Sequence, residues 1–155
     1  MNQSASPWLT PRSCGSCSLC CKLIAVRELN KAPGLWCAHA RPGCKIYGTP
    51  ERPASCGVFN CAWLERVPHA VGDKLALPDS LRPDRCHVVL TGLVGGEGIV
   101  AHVDPAYPLA WREGAIGRLL RDAVSDGVKV FVVAGQKRHA FNTTIEELER
   151  LASQE

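Results

Sequence analysis

The sequence predicts an α+β protein: an irregular, cysteine-rich metal-binding lobe with an N-terminal helix, packed beside a small β-sheet that carries one or two helices. Three observations lead there. Eight of the nine cysteines, Cys14, Cys17, Cys20, Cys21, Cys37, Cys44, Cys56 and Cys61, fall within 48 positions. After residue 86, β-branched apolar runs alternate with a segment of helical period. The 155 residues, 46% hydrophobic and 21% charged, suit one domain over 1–155 with a real core and exclude a disordered tail. Within it we separate a cysteine lobe, 14–66, from a strand-strand-helix-strand-helix lobe, 86–153.

In chain order, the opening MNQSASPWLTPRS has no apolar stretch after a basic start and does not read as a secretory signal. No apolar run approaches the roughly 18 residues of a membrane helix. Both point to the cytoplasm, where thiols stay reduced and cysteine enrichment signals metal or redox chemistry rather than disulfides. The run CGSCSLCCKLIAVREL is helical in pattern. On an ideal helix, at about 100° per residue, Cys14, Cys17, Cys20 and Cys21 occupy one arc of about 120°. Residues 30–53 are dense in Gly, Pro and Cys and poor in periodic apolar positions, so this stretch needs a cross-link. Cys37 with Cys44, and Cys56 with Cys61, lack zinc-knuckle spacing and supply sulfurs from irregular backbone. Eight thiolates suit two tetrahedral zinc sites, two cubane clusters, or one cluster with accessory thiols; they exclude magnesium and calcium. Adjacent Cys20 and Cys21 point about 100° apart and are expected to serve different sites or different atoms of one cluster.

The remaining chain is read by period. A Pro-rich connector runs from Val67 to Arg85. CHVVLTGLV and IVAHVD, separated by GGEG, predict a hairpin over 86–104; the glycine run lacks the Lys-Ser/Thr of a phosphate loop. Leu109, Ile116, Leu119, Leu120 and Val124 predict an amphipathic helix over 109–126 that stops at Gly127. VKVFVVAG predicts a buried strand over 128–134. TTIEELERLA predicts a terminal helix with Thr143 and Glu146 as its capping box.

The motif string CGSCSLCC, WC, GCKIY and RPASCGVFNC resembles the bacterial cysteine-cluster family built on CxxCxxCC and often named after YkgJ, described as a zinc- or iron-chelating domain. The resemblance covers about residues 14 to 63, with the eight cysteines in the family's order. It implies metal chelation through Cys14, Cys17, Cys20, Cys21, Cys37, Cys44, Cys56 and Cys61, with zinc and an iron-sulfur cluster both open as the cofactor. Residues 64–155 carry no motif of comparable specificity.

Other chemistry finds little support. GxSxG, HExxH, Walker and GxGxxG motifs are absent, so no catalytic residue is assigned; an enzymatic role, if any, is that of an iron-sulfur oxidoreductase. His39 follows Cys37 by two and is the one histidine with a ligand-like position. Cys86 reads as a buried strand residue with His87 on the opposite face. Trp8, Trp36, Trp63 and Trp111 read as packing groups.

Charge follows the sulfur: residues 1–66 hold 8 Lys and Arg against 3 Asp and Glu, residues 67–155 hold 10 against 12. Arg12, Lys22, Arg27, Lys31, Arg41, Lys45, Arg52 and Arg66 are expected as counter-charge and solvated surface. Thiolates at two four-sulfur sites bring the net charge from +3 to roughly −1. Nucleic acid is therefore not the expected partner. An unidentified protein or small molecule is, and the metal serves mainly a structural or interaction role; an electron-transfer protein and a metal carrier or sensor are the alternatives.

Overall fold

A computed structural model describes residues 12–40, 42–65, 77–93 and 98–153. The hairpin forms as expected: β1 (Val88–Gly92) pairs antiparallel with β2 (Gly98–Val103), Val88 opposite Val103. Its connecting turn, residues 94–97, lies outside the described residues. The chain then passes through helix α5 (Gly114–Ser125) into β3 (Lys129–Ala134), which pairs parallel with β2. A fourth strand, β4 (Lys137–Phe141), completes a mixed sheet of order β1-β2-β3-β4, and α6 (Ile145–Ala152) follows.

The expected order lacked β4. Its sequence KRHAF is polar because it is an edge strand, whose charged positions face solvent. Only Gly135 and Gln136 separate Ala134 from Lys137, and Gly135 takes φ +62°, so a two-residue turn folds the strand back. Helix α5 starts later than expected. Residues Ala110–Arg112 form a 3-10 turn instead, which leaves Leu109 exposed, while Ile116 and Leu120 are buried. It stops where expected: Gly127, at φ +80°, donates to the Val124 carbonyl. The cap of α6 shifts by one residue, with Thr144 accepting from the Glu147 amide.

Strand alternation gives the sheet two faces. Val88, Leu90, Ala101, Val103, Val130 and Val132 join Ile116 and Leu120 of α5 in the larger core. That core also takes Trp63, Leu77 and Leu81, so the end of the expected connector is packed rather than free. On the other face, fully buried Val89 packs on Leu19 and Leu23. The sheet therefore meets the cysteine segment through both faces.

That segment holds little regular structure. The expected N-terminal helix shrinks to α1 (Cys20–Leu23). Gly15, in the left-handed region, turns the chain before it, and Ile24 leaves it in extended conformation. Val26 then bridges to Lys31 around a 3-10 turn at Arg27–Leu29. Short helices α2 (Ala54–Val58) and α3 (Ala62–Glu65) complete it. Cys86 ends helix α4 (Pro83–Cys86) and is not a strand residue; His87 adopts φ +60° as its cap, stacked 3.6 Å from the Tyr107 ring.

Candidate metal centre

All eight clustered cysteines line one cavity of about 200 Å³. They arrive from four places: a turn closed by the Cys17 amide on the Cys14 carbonyl, the start of α1, the loop of Cys37 and Cys44, and the α2 region with Cys56 and Cys61. The Cys37 amide donates to the Cys21 carbonyl, which ties loop to helix. Gly43 makes the closest backbone approach. It sits at φ +65°, and a Cβ there would lie 2.6 Å from the Gly15 carbonyl oxygen, so only glycine lets the Cys14 and Cys44 turns meet.

The rest of the lining is apolar, including Ile24, Val26, Leu29, Ile46 and Phe59, with Ser55, Tyr47 and Arg52 as its polar members. Among the described residues no His, Asp or Glu lines it. His39 stands outside, its backbone amide 3.5 Å from Cys37 Sγ. Cys86 also stands outside. Its thiol faces the carbonyls of Val88 and Leu81, and burial pushes its pKa up to about 11.

Electrostatics shows how the sulfurs neighbour one another. Cys20 and Cys21 share a hydrogen bond that raises the pKa of Cys20, with burial adding to it, and lowers that of Cys21. Lys31 and Arg52 lower Cys21 further. Burial raises Cys14, Cys56 and Cys61. Cys14 feels Cys61, Cys17 and Cys21, whereas Cys56 feels Cys21 and Cys37. Cys21 thus acts electrostatically on both Cys14 and Cys56. Lys31 stays beside Cys37, Cys21, Cys20 and Cys56 because its ammonium donates to three carbonyls, those of Lys22, Ala32 and Leu35.

The basic residues are more structural than their counter-charge reading implied. Arg12 donates to the Trp63 carbonyl and lies over its ring, and Lys22 forms a 2.6 Å ion pair with buried Asp104. Arg41 and Arg66, like Trp8, lie outside the described residues.

Among the described residues, no group of three or more His, Cys, Asp or Glu side chains is disposed to hold one metal ion. The sulfurs line walls rather than converge on a point. The donor chemistry nonetheless fits a soft centre: eight thiols, none in a disulfide, in an apolar pocket without carboxylates.

Fold and site together define an α+β protein with an eight-cysteine cavity set against a mixed sheet. No family model, curated protein or solved structure matches this chain. Among the described residues no helix is long and apolar enough to cross a membrane.

Proposed function

We propose that this chain is a cysteine-cluster metal protein, in which Cys14, Cys17, Cys20, Cys21, Cys37, Cys44, Cys56 and Cys61 hold zinc or an iron-sulfur centre. The observation that carries the reading is the gathering of all eight thiols, spread over 48 positions, around one apolar cavity. Isolated free cysteines behave as small buried hydrophobes and have no reason to collect in one place. The metal's main role is to organise residues 14–61, so that they present a surface to a protein or small-molecule partner in the cytoplasm. Membership of the YkgJ-type family is part of this proposal and rests on the cysteine pattern.

The size of the cavity favours a second reading, an iron-sulfur centre with a redox role. A bound water needs only about 10–15 Å³, and 200 Å³ suits a polynuclear centre better than a lone ion. Anaerobic purification followed by iron, zinc and acid-labile sulfide analysis decides between them. A brown, sulfide-containing sample establishes the iron-sulfur reading, and colourless protein with stoichiometric zinc the structural one. A protein that takes up neither metal on reconstitution overturns both. In either case, chelation should open residues 14–61 to protease while the sheet persists, because metal binding free energy is folding free energy for such a segment.

A further inference from the structure

Arg52 is the one charged side chain that lines the cavity among the described residues, and it is held there from several sides. Its Nη2 donates to the Cys56 carbonyl at 2.9 Å, its guanidinium lies 4.2 Å over the Tyr47 ring, and its amide donates to the Thr49 carbonyl. The next residue, Pro53, is the N-cap of α2, its φ held by the ring. The same guanidinium acts electrostatically on Cys14, Cys21 and Cys56, thiols from three separate stretches of chain.

We infer that Arg52 is the charge-bearing hydrogen-bond donor to the centre, its guanidinium facing an anionic sulfur acceptor carried within the cavity. The acceptor is either a metal-bound thiolate or an inorganic sulfide. This rests on the metal-binding reading above and gives a role to a residue that is not one of the eight cysteines. Arg52 is here a positioning residue: it ligates nothing, holds the electron-rich sulfur in place, and offsets its negative charge inside an apolar wall. Lysine keeps the charge and an N–H donor for the sulfur, and gives up only the bond to the Cys56 carbonyl.

The experiment uses the full reduced chain and the variants R52Q and R52K under anaerobic conditions, in two arms. In the first, cobalt(II) alone is titrated and the sulfur-to-cobalt charge-transfer absorption recorded. In the second, ferrous iron and sulfide are supplied, and centre yield and midpoint potential measured. If a thiolate is the acceptor, R52Q loses about tenfold or more in cobalt affinity, the range expected for a hydrogen bond to a charged group. Its charge-transfer band also moves to lower energy, and R52K recovers most of the affinity. If sulfide is the acceptor, the cobalt arm is unchanged and the iron-sulfur centre of R52Q has a lower midpoint potential. An R52Q protein that matches wild type in both arms overturns the assignment while leaving the metal reading intact. Affinity loss in R52Q and R52K alike, with neither band nor potential moved, also overturns it, because that pattern marks a merely structural arginine. Wild-type protein inert in both arms removes the metal reading and this inference with it.

Discussion

Residues 12–65 and the sheet lobe solve the problem of holding a backbone in opposite ways. The sheet lobe fixes each strand by a ladder and buries Val88, Val103, Val130 and Val132 with Ile116 and Leu120 of α5. Among its described residues the cysteine segment has three α-helices of four or five residues, two isolated bridges, and almost no buried apolar side chains beyond Leu19, Leu23, Val26 and Trp63. Three of those four lean on the other lobe's cores. Apolar area is too scarce there to offset the entropy of ordering the chain. The metal proposal supplies the cross-links this segment lacks, through the eight thiols that line its cavity.

This contrast can be broken at the join. Asp104, just after β2, is buried and pairs with Lys22, the residue after Cys21; its Oδ1 also accepts from the Ala106 amide. Asp104→Ala leaves a partly buried ammonium without its carboxylate, and about 3 kcal/mol of stability should go with it in chemical unfolding. A loss under 1 kcal/mol would mean the lobes do not depend on this pair.

The next test acts on the cysteine lobe alone. Gly43→Ala forces a left-handed backbone on alanine and a Cβ against the Gly15 carbonyl. It should cost about 2 kcal/mol and lower bound metal, with the amide protection of β2 and β3 unchanged. Hydrogen exchange resolved by region checks this.

The sheet lobe has its own weak point, in pH. Burial lowers the His102 pKa to about 4, and its Nε2 lies 3.2 Å from Thr91 Oγ1. Unfolded, the ring titrates near about 6.5. Above that value both states are neutral and nothing is lost. As pH falls from about 6.5 towards 4 the unfolded state takes up a proton that the folded state refuses, and stability declines. We expect a loss on the order of 2 kcal/mol, less than complete burial would give because part of the ring reaches solvent. His102→Gln should flatten the slope of stability against pH in that window; an unchanged slope assigns it to other groups. The smallest effect belongs to Cys86→Ala, which should change stability by about 1 kcal/mol and leave metal content as it was. Lost metal in that variant would make Cys86 a ninth ligand.

The sheet lobe was legible because its period and its punctuation agree: β-branched runs, the Ile116–Leu120–Val124 stripe and the Gly127 stop each state a local structure that packing then confirms. β4 was not, since KRHAF earns its strand only from β3 beside it. The cysteine lobe reversed the balance. Spacing singled out the sulfurs that share the cavity, yet the helix read through Cys14 and Val26 fails at Gly15 and at β-branched Ile24. Arg52 was read with seven other basic residues as counter-charge and solvated surface, because nothing in RPASC says which arginine will line the cavity. The Arg-Pro step ahead of the helix that carries Cys56 was its only sign.

Fully buried Val89 has a consequence for biosynthesis. Chains fold from the end made first, and Cys14 to Cys61 leave the ribosome before the strand that seats Leu19 and Leu23 exists. Until residue 89 emerges, the thiols are strung along a segment without its floor, open to any soft ion or oxidant nearby. Completion of β1 seats α1 on Val89 and closes that interval.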